Sequence, residues 1–229
     1  MKKITVNVRR HSISDKSTGR KDYPISKEGS ELAEKEGKKI IVPEGGIQLY
    51  ASPKLRAIQT ANFIHHGACL TYKKMLEERG YCSYYAGEVA VKFFRNRIKK
   101  NDLLDSMAGY ITKISDVKKL FDSMPLDDGV NLILNDDPEA VERAGREIRE
   151  FIDYAASKSE DGSLVEGITH GAKLESGLIS LLGIPVKDIA ELGGAARECD
   201  HFSLELSVEE SGVYKVEKAL YKGQEFKVK

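Results

Sequence analysis

Three times in this chain a short branched or apolar run is followed by a helix-period segment, and that order constrains the fold more than any other feature. "KITVNV" alternates before the polar "ISKEGSELAEKEGKK", which closes near Gly37. "GIQLYAS" leads into "SPKLRAIQTANFI", where Ser52 is placed to cap a helix, Pro53 suits its first position, and Ala57, Ile58, Ala61 and Ile64 share a face. "SLVEGIT" runs into "HGAKLESGLISLLG", with Leu174, Leu178, Leu181 and Leu182 at helical spacing before Gly183. Such alternation predicts an α/β fold, a three-layer sandwich with a mostly parallel central sheet and helices on both faces. "HFSLELSVEESGVYKVEKALY" alternates about Ser211-Gly212 and predicts a closing β-hairpin.

Between about Gly80 and Glu160 the strand signal fades. "ISDVKKLFDSM" and "DPEAVERAGREIREFIDYAAS" read as helices, the second with an apolar stripe of Val141, Ala144, Ile148, Phe151, Ile152 and Ala155. "SMPLDDGVNLILNDD" between them reads as a loop. Residues 79–160 are therefore expected to form a helical cap inserted into a single domain spanning residues 1–229, a length that suffices for one well-buried core.

Charge and cysteine content narrow the partners. Lysine plus arginine equal aspartate plus glutamate at 36 each, so no overall field draws the chain to nucleic acid or to an acidic membrane. No apolar run reaches membrane-spanning length and the N-terminus lacks an apolar leader core, so neither a membrane nor a targeting segment is expected. Cys69, Cys82 and Cys199 are odd in number and lack CxxC spacing, which argues against a disulfide framework or a zinc site and fits a reducing cytoplasm.

The chemistry-bearing residues gather at strand ends. Arg10-His11 ends the first strand, Ser52 and Arg56 follow the second, and Thr169-His170 follows a third. In open α/β sheets the carboxyl edge is where ligands bind. Two guanidinium forks and two imidazoles can surround a phosphoryl group, and helices starting near Pro53 and Gly171 would add amide donors. A histidine with an ordinary pKa of about 6.5 can be a neutral nucleophile near pH 7 if its other nitrogen keeps its proton, so one of the two histidines could attack phosphorus, with activity expected to fall in acid as that histidine protonates.

Taken together these segments resemble the histidine phosphatase, or phosphoglycerate mutase-like, superfamily. "RRHS" resembles its Arg-His-Gly signature, "ASPKLRAIQTA" its Ser-Pro, Arg-Ala, Gln-Thr-Ala segment, "ITHGA" its second His-Gly motif, and "LEERGY" its Leu-x-Glu-Arg segment. The resemblance implies that His11 forms a phosphohistidine while Arg10, Arg56 and His170 hold the phosphoryl oxygens. It places the acid on Glu78, makes Arg79 an extra anion contact, and sets Ser12 and Gly171 beside the phosphate. It implies a phosphorylated small molecule as substrate and no metal or organic cofactor. Ser12 replaces the usual glycine, and Glu175 stands where mutases commonly carry arginine. "GEVAVKFFRNRIKK", with Lys92, Arg95, Arg97, Lys99 and Lys100, resembles a mutase stretch that grips a substrate carboxylate. His65 and His66 at a helix end, and His201 at a strand start, read as structural. The activity implied is phosphomonoester hydrolysis through the phosphohistidine. A 2,3-bisphosphoglycerate-dependent phosphoglycerate mutase and a phosphate- or phosphoprotein-binding module without turnover stay open, as do the natural substrate and the oligomeric state.

Overall fold

The computed structural model describes residues 1–19, 22–84, 86–87, 98–109, 111, 124–183 and 188–227. Its elements are β1 (Lys2–Arg10), α1 (Lys27–Lys38), β2 (Ile47–Ala51), α2 (Leu55–Glu78), β3 (Lys99–Lys100), α3 (Leu126–Asp136), α4 (Pro138–Lys158), β4 (Leu164–Thr169), α5 (Lys173–Leu182), β5 (His201–Val208), β6 (Tyr214–Tyr221) and β7 (Gln224–Phe226), joined by short 3-10 turns. The strands form one sheet in the order β3-β2-β4-β1-β5-β6-β7. The first four are parallel and the last three antiparallel, so the mostly parallel core and the closing hairpin are both as expected.

Burial explains the layering. β4 is buried at all its positions, as a central parallel strand covered on both faces must be. One face is covered by α1 and α2 through Ala33, Ala57, Ala61 and Ile64. The two helices approach backbone to backbone: a Cβ on Gly37 would lie 2.1 Å from the Ile64 carbonyl oxygen, and one on Gly67 2.1 Å from that of Glu34. The other face is covered by α3, α4 and α5 through Ile133, Ile148, Phe151, Ile152, Leu174 and Leu178.

The middle of the chain departs from the sequence reading. "PLDDGVNLILND", expected as loop, contains α3. Asp127 and Asp128 occupy its first turn, where they complement the helix dipole, and Val130, Ile133 and Leu134 are buried. The expected cap over 79–160 is too long, because β3 rejoins the sheet beside β2 and the buried stripe of α4 is part of the main core. "ISDVKKLFDSM" lies, but for Met124, outside the described residues. Helix α2 runs on to Glu78, so His65 and His66 are inside it rather than at its end, and His66 Nδ1 meets Glu34 Oε2 on α1 at 3.0 Å. Among the described residues no helix is long and apolar enough to cross a membrane.

Candidate active site

The sheet delivers its chemistry by register. Arg10, the last residue of β1, lies opposite Thr169, the last of β4, and the ladder continues as His11 N–H donates to Thr169 O at 2.9 Å and Ser52 N–H to Ile168 O at 2.9 Å. Three strand ends thus bring His11, His170 and Ser52 to one rim, and the first turn of α2 adds Arg56. Lys54, not Ser52, occupies the N-cap position of α2, and its side chain makes no capping hydrogen bond. Ser52 Oγ accepts from Lys54 N–H at 3.2 Å, while Asp22 Oδ2 accepts from Leu55 N–H at 2.8 Å.

The hydrogen bonds determine the protonation of both imidazoles. His11 Nδ1 faces Ser12 O at 2.7 Å, and a carbonyl only accepts, so Nδ1 carries the proton. The lone pair is left on Nε2, which accepts from Arg56 Nε–H at 3.1 Å. Burial, followed by the Arg56 charge, pushes the His11 pKa down to about 3, so the ring is neutral at pH 7. His170 is the mirror case. Arg56 Nη2 donates to its Nδ1 at 3.2 Å, so Nε2–H donates to Ser52 Oγ at 2.9 Å. Burial, then His11 and Arg56, lower its pKa well below the usual value. The two rings stand edge to face with centroids 5.1 Å apart.

Arg10 is held at the side. Its Nη1 donates to Ala196 O at 2.6 Å, its Nη2 is 3.3 Å from Glu198, and a Cβ on Gly171 would come within 3.4 Å of its Nε. Gly171 therefore leaves room for the guanidinium. Behind it Glu175 is fully buried, accepts from Ala196 N–H at 2.8 Å, and has its carboxyl pushed up by burial. Ser12 is turned away from the pocket: its N–H donates to Thr60 and its hydroxyl to Gly29 O at 2.7 Å, so the expected extra phosphate donor is occupied in the core.

Glu78 and Arg79 are not brought to the site. Glu78 lies 22 positions beyond Arg56 on one helix, about 33 Å away at a rise of about 1.5 Å per residue, with its side chain 65% exposed beside Lys74. Arg79 follows it at the helix end. Asp22 reaches Arg56 at 3.5 Å, and the carboxylate nearest His170 among the described residues is Asp105, which the sequence reading does not single out. Its Oδ1 accepts from Ser52 Oγ–H at 3.1 Å and from Ser106 N–H at 2.7 Å and lies 3.9 Å from His170 Nε2, while Lys54 Nζ is 3.5 Å from Oδ2. The signal for it is Leu103-Leu104-Asp105, which repeats the Leu-x-acid spacing just after β3. Lys92, Arg95 and Arg97 of the mutase-like stretch lie outside the described residues, and Lys99 and Lys100 are exposed in β3.

No protein-family model and no curated protein sequence matches the chain. Solved structures match it along nearly its whole length. A phosphoserine phosphatase from Entamoeba histolytica, solved with phosphoserine, covers 96% of this chain and 98% of its own at 13% identity and a TM-score of 0.53. A mycobacterial glucosyl-3-phosphoglycerate phosphatase covers 97% and 100% at 13% identity and 0.57. A structure described as mycobacterial hydrolase 2 covers 100% and 94% at 13% identity and 0.58.

Proposed function

We propose that this chain, whose fold is the phosphoglycerate mutase-like fold of these structures, is a histidine phosphatase that hydrolyses phosphomonoesters through a phosphohistidine. The observation that carries the reading is the His11 tautomer. A proton fixed on Nδ1 by Ser12 O leaves an unprotonated Nε2 facing the second imidazole and an arginine. The names of the similar structures, two of them phosphatases, support it.

Arg56 donates to both imidazoles, and an incoming phosphoryl group takes those donors. Arg56 and Arg10 then bind its oxygens in the charge-assisted, forked manner of guanidinium, and His170 supplies a third donor once its Nε2–H leaves Ser52 Oγ. His11 Nε2 attacks phosphorus in line, the P–N bond forms as the P–O ester bond breaks, and Asp105 passes a proton to the leaving oxygen. Asp105, now a carboxylate, takes a proton from water. The hydroxide formed displaces phosphate from His11 and the ring returns to its starting tautomer.

Phosphate release from p-nitrophenyl phosphate, measured with a chelator present on wild type and on His11→Ala, tests this. Chelator-resistant turnover that disappears in the variant, with an acid-labile phosphoryl label on wild type alone, is the expected result. Retained activity in His11→Ala removes the mechanism. Conversion of 3-phosphoglycerate to 2-phosphoglycerate with a bisphosphate primer, without net phosphate release, would make the chain a mutase.

A further inference from the structure

Arg10 reaches the pocket with part of its guanidinium already engaged. Nη1 donates to the carbonyl of the fully buried Ala196 at 2.6 Å, and Nη2 lies 3.3 Å from Glu198, a carboxylate 36% exposed. Nε is buried and meets no acceptor among the described residues. A guanidinium presents paired donors along an edge, so with Nη1 committed to the protein the edge left for two oxygens is Nε–Nη2. Glu198 competes for half of that edge.

Whatever fixes Ala196 therefore fixes Nη1. Ala195, Ala196 and Arg197 belong to no helix or strand, so no ladder holds their backbone. Side chains hold it instead. Ala195 N–H donates to Asp127 at 3.2 Å, Lys222 donates to Ala195 O at 2.6 Å, and Ala196 N–H donates to Oε1 of the fully buried Glu175, in the first turn of α5, at 2.8 Å. Of these contacts, the Glu175 bond is the one made to the residue whose carbonyl holds Arg10. Gly171, four residues before Glu175, leaves the space that Arg10 Nε fills, so the start of α5 meets Arg10 both by clearance and through Ala196. An arginine at position 175 would bring five donors and no acceptor for Ala196 N–H, and would add a second cation behind Arg10.

We propose that Glu175 is a positioning residue of the phosphate site: by holding Ala196 it commits Arg10 Nη1 to the protein and presents the Nε–Nη2 edge to the phosphoryl oxygens, with Glu198 as the anion that the phosphoryl group displaces. The inference rests on the reading of Arg10 as a phosphate ligand and deepens it. Glu175 touches neither the substrate nor the reacting atoms, and no bond is made or broken through it. Burial pushes its carboxyl toward the neutral form, and an amide offers the same acceptor to Ala196, so glutamine is the conservative replacement. Leucine fills the space but leaves Ala196 N–H buried and unpaired.

The test is inhibition of p-nitrophenyl phosphate hydrolysis by inorganic phosphate, with urea midpoints measured alongside. Glu175→Leu should raise KM and the phosphate Ki together by about tenfold, the worth of one charge-assisted contact, and Glu175→Gln should recover most of the loss. Glu198→Gln, which alters a partly exposed residue, should lower the phosphate Ki by about twofold to fivefold, the range of an exposed ion pair, because Nη2 no longer has to leave a carboxylate. A Glu175→Leu variant whose urea midpoint drops while its Ki stays at the wild-type value overturns the proposal, since Glu175 then serves the fold alone. So does a Glu175→Gln variant as defective as Glu175→Leu, or a Glu198→Gln variant whose Ki equals or exceeds that of wild type. If Glu175→Leu does not fold, the other two variants decide. In each of these cases wild type still hydrolyses p-nitrophenyl phosphate and the phosphatase reading stands. Wild type inert toward that ester removes the reading and this proposal together.

Discussion

Arg56 Nε donates to His11 Nε2 at 3.1 Å, so a permanent cation rests on the lone pair of the ring read here as the nucleophile. Protonating that nitrogen would set two positive groups against each other in a buried place, which is why the His11 pKa falls to about 3. The acid limb of kcat/KM, which reports the free enzyme, is therefore displaced from the value near 6.5 expected of an ordinary histidine. A depressed pKa preserves the neutral form at lower pH. Activity should show no His11 loss between pH 6.5 and 4.5, measured with circular dichroism to confirm the fold. An acid limb centred near 6.5 that persists in His66→Gln and is matched by NMR titration of His11 itself would sink this account.

The same burial acts on stability with a definite sign. His11 at about 3, His170 well below its usual value and His201 at about 4 are neutral in the fold, whereas the unfolded chain protonates all three near 6.5. Below 6.5 the unfolded state binds more protons, so stability falls as pH drops from about 6.5 toward 4 and is fully present above it. Each such histidine contributes at most about 1.4 kcal/mol per pH unit. Urea unfolding at pH 7, 6 and 5 should show a shallower decline for His201→Gln than for wild type. Parallel declines would contradict the burial of His201 as a neutral group.

Asp105 and Glu78 make opposite predictions. Asp105→Asn keeps the Ser52 contact but has no proton to pass on, and should lower kcat on alkyl phosphates by about 10²–10⁴-fold. Glu78→Gln, on the far end of α2, should match wild type within error. A large loss in Glu78→Gln with Asp105→Asn unaffected would return the role to Glu78.

Why Asp105 escaped the sequence reading is a matter of strand length. Arg10 ends, and His11 and His170 follow, strands of six residues or more, whose branched residues are visible, and Arg56 lies in the first turn of a helix with a clear apolar face. β3 has two residues, both lysine, so no period of two exists to mark it. Without β3, Leu103-Leu104-Asp105 had no place on the rim, and the same spacing at Leu76-Glu77-Glu78 took the role. The same short strand hides the point at which the chain rejoins the sheet. α3 has only eleven residues and opens on two acids, Asp127 and Asp128, that the structure shows in its first turn.

The last prediction concerns the charge pair beneath the rim. Arg9, one residue before Arg10, points to the opposite face of β1, where its Nε lies 3.0 Å from Glu166 Oε2 and its Nη1 donates to Cys199 O at 2.7 Å. Glu166 is fully buried on β4 and also accepts from Asn7 at 2.6 Å. This network joins β1, β4 and the chain entering β5, the segments that carry His11, His170 and Ala196. Removing one partner strands a buried charge, so Glu166→Ala should cost about 3–5 kcal/mol in unfolding free energy. Replacing both residues by apolar ones of similar volume should cost less than the single change, since no unpaired ion remains. Denaturant midpoints of Glu166→Leu, Arg9→Met and the double variant decide it. A double variant no more stable than the worse single one would mean that the pair holds the rim in place through its hydrogen bonds to Asn7 and Cys199, and not through its charge balance.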